Sequence, residues 1–215
     1  MKPILFNTDM VKAILAGKKT VTRRLVKPRF RPGEIGYQVI TEKHSGKYVR
    51  IEYIDEYERE TRYMSDPFRP GDILYVRETW QKYRFKRPTK AVPDDFKEIK
   101  YCYLADGELA NSDGSPFKWR PSIHMPKEAA RIFLRVTDVR VERLQEIDEV
   151  QAQREGCYAG PIIEGSDLWA DARTAFPTVW DGTLKNNIDR ETYGWEANPW
   201  VWVIEFERCE MPKEG

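Results

Sequence analysis

The stretch "LAGKKTVTRRL" (Leu15 to Leu25) sets four cations and two threonines within eleven residues. Gly17 stands where a left-handed residue ends a helix, and "TVTRRLV" beyond it is rich in residues that favour a strand. The stretch is therefore a helix-to-strand junction, with Lys18, Lys19, Arg23 and Arg24 arriving beside Val21 and Leu25. Three readings are open at this point: a solvated strand start, a grip for nucleic acid, or a catalytic site.

Upstream, "NTDMVKAILAG" predicts a helix, with Asn7 or Thr8 as its cap, Asp9 in its first turn and Met10, Ile14 and Leu15 on its apolar face. Downstream, "GYQVITEK" and "YVRIEYIDEY" alternate apolar and polar residues around "HSGK" and predict a hairpin. "RPGDILYVRETW" and "FKEIKYCYLADGE" read as strands, the second ending at an Asp-Gly turn. "AARIFLRVTDVRVERL" alternates with a phase break near Thr137 and Asp138 that suggests a bulge. "DEVQAQREG" reads as a short helix capped by Asp148 and closed by Gly156. "SDLWADARTAFPTVWDGTLK" has helical spacing that Pro177 breaks, and "PWVWVIEFERC" is a strand with Trp200, Trp202, Ile204 and Phe206 on one side. Many strands with a few interleaved helices predict an α+β fold, a β-barrel decorated with helices, as one domain over 1–215.

The chain's 215 residues are enough to bury a core, and 40% hydrophobic with 13% aromatic residues argue for a globule. Lys+Arg 36 against Asp+Glu 35 leaves a net charge of +1. A protein that coats duplex nucleic acid carries a basic excess, because phosphate neutralisation drives that binding; a local basic pocket for a small substrate needs no such excess. Cys102, Cys157 and Cys209 are scattered without a CxxC pair and read as reduced thiols of a cytoplasmic protein. "MKPILFNTDM" is too short an apolar stretch for a signal peptide, and no segment approaches the roughly 18 apolar residues of a membrane span. Two histidines and no cysteine cluster leave few zinc ligands, so neither a metal nor another cofactor is expected.

Four groups of residues could carry chemistry. Lys19 can act as a base only if burial or neighbouring cations lower its proton affinity, and Thr22 attacks only with a base in reach. In a flat strand positions three apart face opposite sides, so Lys19 and Thr22 converge only if the chain bends between them. Glu155 closes the short helix, where the macrodipole disfavours a carboxylate; a buried lysine would compensate it, while a surface position is the plainer reading. In "VRETW", Arg77 and Trp80 could clamp a flat base, or Trp80 is core and Arg77–Glu78 an exposed pair. In "WRPSIHMP" two prolines stiffen a loop that offers Arg120, Ser122 and His124 for substrate contact, with no triad implied for Ser122.

"LAGKKTVTRR" resembles the signature of the ASCH domain family, GxKxxExR, through Gly17, Lys19, Thr22 and Arg24. Thr22 stands at the acidic position, which is similar to the bacterial N4-acetylcytidine amidohydrolase branch. "PGDILYVRETW", "WRPSIHMPKEAARIFLRVTDVRVERL" and "NPWVWVIEFE" resemble a longer ASCH subgroup common in phages and prophages. The resemblance implies a PUA-like β-barrel with flanking helices and inserted hairpins, the insertions at 36–66 and 81–118. It implies an amidohydrolase acting on an N4-acylated cytidine or similar modified nucleoside, with Lys19, Thr22 and Glu155 as catalytic residues. Arg24, Arg77, Trp80, Arg120 and His124 would contact the substrate, and Lys18 and Arg23 would be the solvated pair. Two other functions stay open: a module binding RNA or a modified base without chemistry, and a metal-independent single-strand ribonuclease.

Overall fold

Asn7 caps the first helix as its side chain accepts the Met10 amide at 2.8 Å, and Gly17, at φ 71°, ends it. This computed structural model describes residues 1–42, 48–82, 101–109, 117–158, 160–161 and 169–212. In chain order the strands and helices are β1 (Lys2–Leu5), α1 (Thr8–Leu15), β2 (Val21–Leu25), β3 (Glu34–Thr41), β4 (Tyr48–Asp55), β5 (Glu60–Met64) and β6 (Ile73–Arg77). They continue with β7 (Trp80–Lys82), β8 (Tyr101–Tyr103), β9 (Phe133–Arg143), α2 (Glu149–Arg154), β10 (Gly160–Pro161), β11 (Trp169–Ala170), α3 (Ala172–Asp181), α4 (Asn187–Tyr193) and β12 (Trp200–Cys209). The fold is α+β. Its largest sheet has the order β1-β6-β9-β12-β2, ending at β1 and β2, and it closes no barrel among the described residues.

The chain forms two compact units. The first comprises Met1–Gly17, Asp72–Arg135 and Arg208–Gly215. There β1 runs parallel to β6, which pairs antiparallel with the first residues of β9. Ile4, Val11, Ile14, Leu74, Val76 and Leu134 are buried in this unit. A satellite cluster joins Trp80, Met125 and Ala129 beside the β7–β8 hairpin.

The second unit comprises Lys18–Gly71 and Val136–Glu207. β2 pairs antiparallel with β12, and Val21, Val201 and Val203 pack with Leu144, Ile147, Ala152, Phe176 and Trp180 of the segment that carries α2 and α3. β3, β4 and β5 form a separate antiparallel sheet.

Several expectations need correction. Pro177 does not end its helix: α3 continues to Asp181, since Ala172, Phe176 and Trp180 stay buried on one stripe across the proline. That helix begins only after Asp171, whose side chain accepts the Thr174 amide, so Trp169 lies outside it. β12 buries both faces, Val201 and Val203 as well as Trp202, Ile204 and Phe206, because it is an inner strand of its sheet. The expected phase break near Thr137 and Asp138 is present: the buried positions of β9 change phase between Val136 and Val141. The hairpin of 36–66 gains a third strand, β5, and most of the 81–118 stretch, with the "HSGK" turn, lies outside the described residues.

Candidate functional site

α2 is short and sharply bounded. Asp148 accepts the Gln151 amide at 2.7 Å at its start. Gly156, at φ 90°, closes it, with Cys157 N–H donating to Ala152 O at 3.1 Å and Gly156 N–H to Gln153 O at 2.9 Å. This is a Schellman ending, and it sets Glu155 as the C-cap with the last carbonyls of the helix still seeking donors.

Those donors come from the opening stretch. The Thr20 amide donates to Arg154 O at 2.9 Å. The Lys19 ammonium donates to the Glu155 main-chain oxygen at 2.7 Å and to its Oε2 at 2.6 Å. An ammonium at a helix C-terminus opposes the negative end of the macrodipole, which also offsets the cost of having a carboxylate there. The Lys19 side chain is 0% exposed and that of Glu155 6%. Burial pushes the Lys19 ammonium below the ordinary lysine value of 10.5, the Glu155 carboxylate opposes that, and Arg24 adds to the lowering.

The junction between Gly17 and Val21 is irregular, and regular pairing starts at Val21 opposite Glu205. From there alternation decides the faces: Val21, Arg23 and Leu25 face the α2–α3 core, while Thr22 and Arg24 face the other way opposite Ile204 and Trp202. Thr22 is buried on the face of β2 away from Arg23. Arg24 is half-buried; burial lowers its guanidinium and the Glu155 carboxylate opposes this.

Arg23 overturns an expectation. It is not solvated: its side chain is 1% exposed. Nη1 donates to Glu155 Oε1 at 3.3 Å, Nη2 to Glu142 Oε2 at 3.2 Å and also to Gln151 Oε1, and the guanidinium lies over the Phe176 ring at 6.0 Å. Its Nε is buried without a partner. From Glu142 the charges continue outward: Arg140 Nε donates to Glu142 Oε1 at 2.5 Å, and Arg140 and Arg154 each donate to Glu205 at 2.6 Å. Arg154 Nε reaches Thr20 Oγ1 at 3.2 Å, which closes the ring beside Lys19. Sequence reasoning missed Arg23, Glu142 and Gln151. The available signal was the shared strand phase of Arg23 with Val21 and Leu25.

The remaining candidate residues belong to the first unit. Arg77 ends β6 and donates from Nη2 to Ile123 O, with Nε buried and unpaired. Trp80 is 4% exposed and packs on Met125 and Ala129. Arg120 exchanges backbone hydrogen bonds with Trp80 at 2.8 and 3.1 Å and lies over its ring at 5.5 Å. His124 is exposed in a short 3-10 turn, Ser122–His124. Glu78 is not half of an exposed Arg77 pair: it is 1% exposed and held by the Arg131 fork at 2.9 and 3.0 Å. Arg131 also grips Asp106 at 2.7 Å and covers the Tyr103 ring at 3.9 Å.

Cys102, Cys157 and Cys209 are free thiols. Among the described residues no group of three or more His, Cys, Asp or Glu could hold a metal ion, and no helix is long and apolar enough to cross a membrane. Compared with protein-family models, curated proteins and solved structures, the chain matches none.

Proposed function

We propose that the chain is an ASCH-type protein of PUA-like barrel ancestry that hydrolyses the amide of an N4-acylated cytidine or similar modified nucleoside. The observation that carries this reading is the buried Lys19–Glu155 pair, 2.6 Å from Nζ to Oε2. A lysine whose proton affinity is lowered by burial, with a carboxylate in contact, is the pairing an amine base needs. In the reaction, the Lys19 ammonium first yields a proton to Glu155 Oε2, and the resulting neutral amine takes the Thr22 hydroxyl proton as Oγ1 attacks the acyl carbon. The tetrahedral adduct collapses, the C–N bond breaks, and the leaving N4 amine takes a proton relayed through Lys19 and Glu155. Water then hydrolyses the acyl-threonine, so the sum is amide plus water to amine plus carboxylic acid.

The test is release of cytidine and acetate from N4-acetylcytidine by the purified protein, repeated with Lys19→Ala and Glu155→Gln. Turnover by the wild type and its loss in both variants is the expected result, and a wild type without turnover overturns the reading.

One observation favours a second reading, a module that binds RNA or a modified base without chemistry: Thr22 lies on the opposite face of β2 from Arg23. Under that reading Thr22→Ala leaves function intact, and oligonucleotide binding weakens as salt rises.

A further inference from the structure

We propose that Arg23 is a positioning residue that orients the Glu155 carboxylate toward Lys19, an assignment that rests on the hydrolase reading above. The two oxygens of Glu155 go to different cations, Oε2 to Lys19 at 2.6 Å and Oε1 to Arg23 at 3.3 Å. A carboxylate held at one oxygen can still turn about its terminal bond. Held at both, its plane is set, and Oε2 is the oxygen left to exchange a proton with Lys19.

The orienting group is itself fixed before it meets Glu155. β2 aims Arg23 into the α2–α3 core, Glu142 and Gln151 hold Nη2, and the Phe176 ring lies beneath the guanidinium. Three acceptors on α2, its C-cap and β9 need a planar fork with several N–H groups, and a lysine ammonium on its flexible stem cannot serve all three.

Stability alone does not account for this arginine. Replacing a buried ion pair as a whole by apolar residues of similar volume is often neutral, and Arg23 sits between Val21 and Leu25 on the apolar face of its strand. Aliphatic residues would satisfy packing there, but they would leave Glu155 free to rotate away from Lys19.

The experiment compares Arg23→Met, Arg23→Lys and Glu142→Gln with wild type in steady-state kinetics on N4-acetylcytidine and in crystal structures. For Arg23→Met the expected loss is about 100-fold in kcat with KM unchanged, the scale of an ångström-level misplacement of a reacting group. Its structure is expected to show the Glu155 carboxylate turned off Lys19. Arg23→Lys is expected to recover part of kcat, and Glu142→Gln to lose less than Arg23→Met. Wild-type kcat in Arg23→Met, or Glu155 unmoved in its crystal structure, overturns the proposal. If Arg23→Met does not fold, Arg23→Lys and Glu142→Gln decide: a kcat equal to wild type in both overturns it. If the wild type itself has no turnover, the hydrolase reading fails separately. The position of Glu155 in the variant crystals then decides the role of Arg23.

Discussion

Lys19 Nζ donates to both the carboxylate and the main-chain oxygen of Glu155, 136 residues later in the chain, and so caps the helix that delivers its own partner. One side chain thus does two jobs: it satisfies the end of α2, and it brings a buried amine against a buried carboxylate. The ammonium cannot be removed without exposing the second cost.

Lys19→Met is therefore expected to lower stability by about 3 kcal/mol, since removing one partner of a buried pair leaves the other charge uncompensated. Glu155→Leu is expected to cost a comparable amount. The double variant should cost clearly less than the sum of the two, because neither charge remains to be stranded. Urea midpoints of the four proteins measure this, and strict additivity would mean the two side chains do not interact.

Lys19 is expected to titrate below 10.5 in the folded protein, because burial outweighs the opposing carboxylate. The folded state then releases the proton more readily than the unfolded chain. The burial cost is carried in full below the folded titration and is relieved as pH rises toward 10.5. Glu155→Gln removes the largest opposing influence and is expected to move the titration lower still. Following the Lys19 ε-carbon by NMR across pH tests both directions, and an upward shift in Glu155→Gln would refute the pairing.

Cys157, two residues past Glu155, is pushed up to about 11 by burial first and the Glu155 carboxylate second, with Lys19 opposing. The unfolded thiol loses its proton near 9.0 while the folded one keeps it, so this group removes stability as pH rises between 9.0 and 11. Cys157→Ala is expected to flatten that alkaline loss in denaturant melts. An unchanged slope would assign the loss elsewhere.

Arg131→Ala is expected to cost about 3 kcal/mol at neutral pH, because it strands the buried Glu78 carboxylate. Burial already raises Glu78 above 4.5 and Arg131 opposes that rise, so the variant raises it further. A carboxyl raised in the folded state costs stability only where the unfolded chain ionises it. The deficit of Arg131→Ala should therefore shrink as pH falls toward 4.5, which melts at the two pH values can measure.

Much of the framework follows from local chemistry. Asn7 and Asp148 cap their helices through side-chain oxygens, Gly17 and Gly156 end them at positive φ, strand-favouring residues mark β2, and alternating apolar and polar residues mark β3 and β4. These features need only neighbours within a few residues. β1 and β5 are short strands paired with β6 and β4, and nothing in their own residues announces them. Pro177 misleads for the same reason: its local penalty is real, but buried Phe176 and Trp180 outweigh it.

The site divides along the same line. The residues Lys19, Thr22, Arg24 and Glu155 are singled out from sequence by the resemblance to the ASCH signature, whereas their spacing alone reads equally as a solvated strand start and a surface glutamate. That Glu155 is buried against Lys19 and that Arg23 rather than a solvated neighbour holds its other oxygen were decided only by tertiary structure. The physical reason is that a charge enters a core only when its counter-charges arrive there too. For Arg23 they come from Glu142 and Glu155, 119 and 132 residues away, with the neutral Gln151 amide accepting a further hydrogen bond, which no local pattern in "LAGKKTVTRRL" can encode.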